Sequence, residues 1–221
     1  MNFDEAIESL EKLVAEVRSA SLTDERTRLG SGLALRQEER LINEGASEFD
    51  VIVFGDLNDF KHLNDSYGHD AGNVAITEVG RVISKSIEVL QGKAFRQSGD
   101  EFVILLKLAL VDQFLARAPS YANIPFSHNE QNLSTAMSFG YAISDGKTSF
   151  ADLLQRAEAA CQLAKASEIH TVVEWTETIK LNPMVRISGS CRKCSARISC
   201  NVPRRIAPAQ LTVCPCCGET L

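Results

Sequence analysis

The chain has 221 residues, of which 44% are hydrophobic and 24% are charged, as in an ordinary globular protein. No apolar run approaches the roughly 18–20 residues that cross a bilayer, and the acidic, amphipathic N-terminus "MNFDEAIESLEKL" does not resemble a signal peptide. We therefore expect a cytoplasmic protein that does not associate with a membrane.

The net charge of −6 is unevenly distributed along the chain. Residues 178–221 contain seven Lys or Arg and a single acidic residue, whereas residues 1–177 carry a net charge of −12. Six of the seven cysteines also lie after residue 190. This division indicates two units with different surfaces.

The first predicted element is an amphipathic helix over residues 1–20. Its apolar residues are spaced alternately four and three apart, as in an a/d heptad seam: Phe3, Ile7, Leu10, Val14 and Val17. Two heptads make a weak coiled coil, so the helix is equally compatible with dimer contact and with packing on its own domain.

The central part of the chain alternates short apolar runs rich in β-branched residues with segments of helical periodicity. The predicted strands cover residues 49–57, 94–97, 102–108, 134–144 and 171–175, and the predicted helices cover 71–90, 111–118 and 150–167. A tight turn at Ser98–Gly99 would join two of the strands, because glycine accepts the positive φ that such a turn needs. The pattern predicts an α+β sheet layered with helices.

Three carboxylates lie at predicted strand ends. Asp56 ends the 49–57 strand, and Asp100 with Glu101 follows the predicted turn. If these strands are neighbours, the three side chains converge at one edge of the sheet. Buried charges must be paired or bind a metal, and clustered carboxylates suit Mg²⁺, which can activate a hydroxyl and stabilise a leaving pyrophosphate. A solvated acidic turn is the alternative interpretation.

The stretch "DLNDFKHLNDSYGHDAGN" (56–73), followed by "RQSGDEF" (96–102), resembles the GGDEF family of nucleotidyl cyclases, the diguanylate cyclases. The resemblance extends from about Leu22 to Trp175 and includes "SFGYAI" and "AEAACQLAK". It implies a palm-like, ferredoxin-like sheet of the adenylyl-cyclase type over 21–177 and a role in signalling. It also implies a homodimer in which each GTP attacks the other, giving cyclic di-GMP.

The resemblance also implies roles for nine residues. Asp56 and Asp100 would bind Mg²⁺ or Mn²⁺, and Glu101 would assist at the metal or the nucleophile. Lys61 and Lys165 would bind the phosphates of the nucleotide. Asn64 and Asn73 would contact its purine. Ser98 and Gly99 would form the turn beside its triphosphate.

The sequence departs from the family pattern at several of these positions. Ser98 replaces the first glycine of the signature, Asn58 replaces the second Asp of D-x-D, and Asn73 replaces an Asp that accepts hydrogen bonds from guanine. Further along, Ile169 stands where the family has a phosphate-binding Arg, and the inhibitory R-x-x-D site is absent because Val89 and Gly92 stand in its place.

Asn73 leaves three functions open. An amide presents one acceptor and one donor, so it matches the edge of adenine better than that of guanine, although a rotated Asn73 could use its oxygen alone. The leading interpretation is synthesis of cyclic di-GMP. The alternatives are a cyclase that uses ATP alone or beside GTP, and a catalytically weak domain that binds nucleotide or a partner as a regulatory module.

The cysteine-rich tail has the spacing of a zinc ribbon over 191–221, after a predicted linker at 178–190. "CRKC" and "CPCCG" form two C-x₂-C pairs separated by nineteen residues, with Cys191, Cys194, Cys214 and Cys217 as the preferred Zn²⁺ ligands. Cys216 could replace one ligand, and Cys200 is a spare or packing cysteine. A redox-sensitive disulfide tail is the alternative.

The positive charge of this tail raises nucleic-acid binding as a possibility. The tail lacks an aromatic residue for base stacking, however, and docking on the acidic domain is equally compatible with its charge.

Overall fold

The structure is a computed structural model that describes Ile7, residues 21–166 and 172–179, and the backbone of residues 184–190 and 197–203. The chain divides into two units, Met1–Ile179 and Lys180–Leu221. The predicted N-terminal helix, apart from Ile7, and the four preferred zinc ligands lie outside the described residues.

A mixed sheet forms the centre of the first unit. Its described strands are β1 (Val51–Leu57), β2 (Lys93–Ser98), β3 (Glu101–Leu106), β4 (Ile124–His128), β5 (Gln131–Thr135), β6 (Met137–Ile143) and β7 (Val172–Glu174). Five of them form one sheet in the order β2-β3-β1-β6-β7, and β4 pairs with β5 as a separate hairpin. Within the larger sheet β6 and β7 are parallel and the other neighbours are antiparallel.

Helices cover both faces of this sheet. The described α-helices are α1 (Gly32–Asn43), α2 (Phe60–Tyr67), α3 (His69–Leu90), α4 (Val111–Leu115) and α5 (Phe150–Ala166). Buried residues of α3 and α4 pack against one face, and buried residues of α1 and α5 pack against the other. The start of α1 is capped by Ser31, whose hydroxyl accepts hydrogen bonds from the amides of Leu33 (3.2 Å) and Ala34 (3.4 Å).

The alternation of side chains along β1 determines where its carboxylate points. Val51 and Val53 belong to the core on the α3 face, whereas Ile52 and Phe54 belong to the core on the α5 face. Each buried aliphatic or aromatic side chain contributes about 1.5–3 kcal/mol, so a one-residue slip of the strand is strongly disfavoured. The same period of two places Asp56 on the α5 face.

The structure differs from the predicted elements in the position of one turn, in the division of one strand and in two additional helices. The turn between β2 and β3 is Gly99–Asp100 rather than Ser98–Gly99, because Ser98 pairs with Glu101 as the last residue of β2. The segment predicted as one strand over 134–144 contains the end of β5 and the whole of β6. Neither α1 nor α2 was predicted, because their sequences are rich in charged and polar residues.

The second unit is described only as a hairpin of two strands, β8 (Met184–Ser190) and β9 (Arg197–Pro203). They pair antiparallel from Met184 opposite Pro203 to Ser190 opposite Arg197. Strand β8 therefore lies in the segment predicted as a linker. Among all the residues that the structure describes, no helix is long and apolar enough to cross a membrane.

Candidate active site

The register between β1 and β3 brings the predicted carboxylates to one end of the sheet. Asp56 lies directly opposite Glu101 in the antiparallel pair. The adjacent turn is tied to the same place, because the amide of Leu57 donates to the carbonyl oxygen of Asp100 over 3.3 Å. Strands β1 and β3 are therefore neighbours, which was the condition for Asp56, Asp100 and Glu101 to lie at the same edge of the sheet.

Lys165 supplies the positive charge of this cluster from the last turn of α5. Its Nζ lies 2.6 Å from Oδ1 of Asp56 and donates to the carbonyl oxygen of Leu57 over 3.0 Å. The side chains of Lys165 and Asp56 are only 25% and 14% exposed, so the pair is largely withdrawn from solvent. The structure thus places Lys165, predicted from the helix motif, on the predicted strand-end carboxylate.

Burial raises the pKa of Asp56 above its ordinary value. The hydrogen bond and charge of Lys165 act in the opposite direction, and the charges of Asp100 and Glu101 add to the increase. Burial is the largest of these effects, so the raised pKa mainly reports the withdrawal of Asp56 from solvent. Three carboxylates, Asp56, Asp100 and Glu101, lie here with one lysine, and a further cation at this end of the sheet would offset their charge.

Mg²⁺ or Mn²⁺ is the cation that these oxygen atoms fit. The ammonium of Lys165 already bridges a carboxylate and a carbonyl oxygen, the two kinds of ligand that hard cations use. Within residues 21–166 and 172–179 no three or more His, Cys, Asp or Glu side chains form a ready-made metal cage. Mg²⁺ commonly needs only one or two carboxylates when substrate phosphates complete its shell, and Asp56 and Asp100 would supply those.

The hairpin turn that carries Asp100 is held by an arginine that the sequence analysis did not single out. Arg96 donates to the carbonyl oxygen of Gly99 from Nε (2.9 Å) and from Nη2 (2.7 Å), while its Nη1 lies 3.3 Å from Oδ2 of Asp24. Gly99 has φ of +42°, a conformation that favours glycine. The sequence analysis did not single out Asp24 either.

Asp24 is in turn fixed by its own loop. Oδ1 of Asp24 accepts hydrogen bonds from the amide (2.8 Å) and the hydroxyl (2.7 Å) of Thr27. Burial acts to raise the pKa of Asp24, but the hydrogen bonds from Thr27 and the charge of Arg96 lower it below its ordinary value overall. Asp24 therefore stays ionised and holds Arg96 on the turn.

Ser98 contacts the catalytic candidate Glu101 directly. Its hydroxyl donates a hydrogen bond to Oε2 of Glu101, across the closing pair of the hairpin. The glycine found in the family signature has no side chain with which to make this contact.

Glu158 is a fourth carboxyl group near the site, and the sequence analysis missed its role. It lies on α5 seven residues before Lys165, and therefore on the same side of the helix. Burial raises the pKa of Glu158, and the charge of Glu101 raises it further. The seven-residue spacing within "AEAACQLAK" was the signal that could have found it.

Asn64 lies on α2 beside the start of α3. Its Oδ1 is buried and, among the described residues, has no hydrogen-bond partner. A Cβ added to Gly72 would collide with this oxygen and would come within 3.1 Å of Cζ of Phe60. Asn73 follows Gly72 immediately and is half-buried, so both predicted purine-reading amides belong to one locality, while Lys61 is exposed on α2.

Asn58, the residue that replaces the second Asp of D-x-D, has its side chain bound to the sheet. Its Oδ1 accepts a hydrogen bond from the hydroxyl of the fully buried Ser138 over 2.9 Å. The Ser138 carbonyl oxygen accepts a bond from Sγ of Cys161 at 3.2 Å. Cys161 is completely buried, as expected for a core cysteine.

The first unit matches a known protein family. A model described as "Diguanylate cyclase, GGDEF domain" matches residues 21–170. The chain belongs to the GGDEF family. Two similar curated proteins are diguanylate cyclase DgcN of Escherichia coli, 27% identical over 166 residues, and diguanylate cyclase DgcS of Shewanella oneidensis, 33% identical over 118 residues.

These matches cover 72% and 52% of this chain but only 40% and 39% of the two relatives. The chain therefore spans about two fifths of their length. Among solved structures, diguanylate cyclase SiaD of Pseudomonas aeruginosa, in complex with its activator SiaC, superposes with a TM-score of 0.66 at 25% identity, over 77% of this chain and 68% of that chain.

The coiled coil and GGDEF domain of DgcB from Caulobacter crescentus, in complex with c-di-GMP, has a TM-score of 0.68 at 22% identity. This match covers 77% of this chain and 94% of that one. At this identity the likeness concerns the fold: an α+β GGDEF fold with a mixed sheet and helices on both faces.

Proposed function

We propose that this protein synthesises a cyclic dinucleotide in a metal-dependent reaction, and that the product is cyclic di-GMP made from two GTP. The observation that carries the proposal is the convergence of Asp56, Asp100 and Glu101 at one end of the sheet, with Lys165 held on Asp56. Membership of a family whose curated relatives are diguanylate cyclases supports it.

In the proposed reaction each 3′-hydroxyl attacks the α-phosphorus of the other nucleotide. Each transfer forms one O–P bond, breaks one P–O bond, and releases pyrophosphate together with the hydroxyl proton. When bound, Mg²⁺ or Mn²⁺ would supply charge neutralisation at the phosphates and activation of the hydroxyl. Asp56 and Asp100 would hold the ion, Glu101 would assist there, and Lys165 with Lys61 would bind phosphate oxygens.

Asn64 and Asn73 would bind the purine. Within the described part of the chain the buried Oδ1 of Asn64 has no hydrogen-bond partner, and an exocyclic amine of the base would supply one. Leaving such an oxygen unpaired costs about 1–3 kcal/mol, so pairing it favours nucleotide binding.

We expect the active species to be a homodimer. One site holds one nucleotide, and each hydroxyl must reach a phosphate held by a second copy. The heptad seam over residues 1–20 is a suitable dimer contact, and size-exclusion chromatography with light scattering tests it: removing residues 1–20 should weaken both the dimer and product formation.

A second candidate is a cyclase that uses ATP alone or beside GTP. Asn73 favours it, because an amide at this position offers a donor where guanine also presents donors. A third candidate is a catalytically weak domain that binds nucleotide or a partner as a regulatory module. Asn58 stands where the family has a second Asp, and its Oδ1 accepts a hydrogen bond from the hydroxyl of Ser138. The site therefore lacks one of the family's carboxylates, which favours this third candidate.

Product analysis separates the three candidates. The full chain is incubated with Mg²⁺ or Mn²⁺ and with GTP, ATP or both, and the products are identified by mass spectrometry. Asp100→Asn should abolish the product. Asp112→Asn, which removes an exposed carboxylate on α4, should leave it unchanged. Cyclic di-AMP or a mixed product would favour the second candidate. No product from a folded dimer that still binds nucleotide would refute the first two.

We further propose that the tail holds a structural Zn²⁺ on Cys191, Cys194, Cys214 and Cys217. The first pair falls between Ser190 and Arg197, two strand ends that pair with each other, as in a zinc knuckle. Elemental analysis should find about one zinc per chain in the parent and in Cys200→Ser, and less in Cys214→Ser. A zinc-free parent would contradict this proposal.

A further inference from the structure

We infer that Ser98 is a positioning residue that holds the carboxylate of Glu101 in the metal site, a role that the glycine of the family signature cannot perform. The inference rests on the proposed function, in which Glu101 assists at the metal ion. It concerns a contact that a glycine at this position could not make, the hydrogen bond from the Ser98 hydroxyl to Oε2 of Glu101.

The hairpin places the two side chains together independently of that hydroxyl. Ser98 and Glu101 are the pair that closes the turn, next to the irregularity in register between Arg96 and Ser98. The turn itself is held by the two hydrogen bonds from Arg96 to the carbonyl oxygen of Gly99. Removing the hydroxyl should therefore free the Glu101 side chain while leaving the backbone in place.

Glu101 needs such a partner because its neighbours are negative. Asp56 lies opposite it, and the charge of Glu101 raises the pKa of both Asp56 and Glu158. Lys165 is bound to Asp56, and no lysine or arginine in the described part of the chain forms an ion pair with Glu101. Without the hydroxyl, repulsion and side-chain entropy would both favour rotation of Glu101 away from the site.

Among the described residues, the side chain of Glu101 accepts this hydrogen bond on Oε2, and no hydrogen bond to its Oε1 is present. A carboxylate that receives a hydrogen bond on one oxygen is oriented to offer the other to a cation, and losing such an orienting partner typically weakens metal binding or activity by about 10–100-fold. Ser98 is exposed, so its replacement should affect folding little.

The test is a titration of the full chain with Mn²⁺ in the absence of nucleotide. Binding is measured as the loss of the electron paramagnetic resonance signal of the free ion. Ser98→Ala and Ser98→Gly should each weaken binding by about 10–100-fold. Ser98→Thr, which keeps the hydroxyl, should bind nearly as the parent does. Ser127→Ala is the matched control, because Ser127 is an exposed strand serine whose hydroxyl contacts the Asn132 side chain at 3.1 Å.

Asp56→Asn tests whether the measured Mn²⁺ binding takes place at the carboxylate cluster, and this variant should abolish the binding. Unchanged or tighter Mn²⁺ binding by Ser98→Gly would overturn the inference, and so would equal weakening in Ser98→Thr or in Ser127→Ala. Failure of the parent to bind Mn²⁺ in a manner dependent on Asp56 would also overturn it.

A product assay on the same samples separates this inference from the proposed function. A parent that binds Mn²⁺ through Asp56 but forms no cyclic dinucleotide would refute the proposed function, and the binding results would still decide the role of Ser98. In an active parent, Ser98→Ala should lower kcat and raise the Mn²⁺ requirement more than it raises KM for the nucleotide.

Discussion

Replacing Lys165 with Met should destabilise the first unit at neutral pH by leaving Asp56 without its cation. Removing one partner of a fully buried ion pair costs about 3–5 kcal/mol, and exposed pairs are worth about 0–1 kcal/mol. The side chains of Lys165 and Asp56 are 25% and 14% exposed, so this pair lies between the two limits. We expect a loss of about 1–3 kcal/mol, or a fall in Tm of about 2–10 °C.

The contribution of Asp56 to the stability of the unit should fall as the pH rises. Burial and the neighbouring carboxylates raise the pKa of Asp56 above 3.8. The stability that protonated Asp56 contributes is therefore present below its unfolded-state pKa and is lost as the pH rises through the folded-state pKa. Asp56→Asn should accordingly stabilise the unit at neutral pH and change it little near pH 3, although it removes a residue that the proposed reaction needs.

Urea unfolding of the parent, both single variants and the double variant measures this coupling. Trp175, the single tryptophan, lies in the first unit, where its ring stacks under the Arg156 guanidinium at 4.3 Å, so its fluorescence reports on that unit. Lys107→Met is the control, because its partner Glu48 is exposed and little stability should be lost.

The double variant should regain most of what Lys165→Met loses. A Lys165→Met protein as stable as the parent at neutral pH would refute the reasoning. A double variant no more stable than Lys165→Met would refute it as well.

Three further outcomes are expected. Asn73→Asp should shift the preference of nucleotide binding toward GTP over ATP by about 5–150-fold in a competition assay, which is the equivalent of one mispaired polar group at about 1–3 kcal/mol. An unchanged ratio would show that position 73 does not contact the base. Arg96→Lys should cost about 1–3 kcal/mol in urea unfolding, because a lysine cannot hold Gly99 and Asp24 together, and equal stability would contradict that clamp. Burial raises the pKa of the Cys161 thiol to about 12, so iodoacetamide at pH 8 should leave it unmodified in the folded protein, and rapid labelling detected by mass spectrometry would contradict its burial.

The sequence predicted the elements whose pattern follows from their own burial. Strand β1 and helix α3 have strongly apolar faces, and the observed bounds lie within a few residues of the predictions. Helices α1 and α2 were not predicted because they bury little of their surface, with Leu35 and Glu38 buried on α1 and Leu63 on α2. The β4–β5 hairpin was also missed, since its exposed residues dilute the alternation.

The candidate carboxylates could be predicted from the sequence, because their position at predicted strand ends is a local feature, whereas Lys165 followed only from the resemblance to the family. Their arrangement depended on the tertiary structure. The pairing of Asp56 with Glu101, and the contact of Lys165 with Asp56 and Leu57 across more than a hundred residues, follow from strand register and helix packing.

Residue types and their spacing were therefore enough to recognise the family, the acidic cluster and the cysteine pattern of the tail. Only the tertiary structure revealed that Ser98 binds Glu101, that Arg96 joins the signature turn to Asp24, and that Glu158 belongs to the same charged neighbourhood. The physical reason is that charge and hydrogen bonding act over a few ångströms in space. Residues distant in the chain acquire their roles only when packing has brought them within that distance.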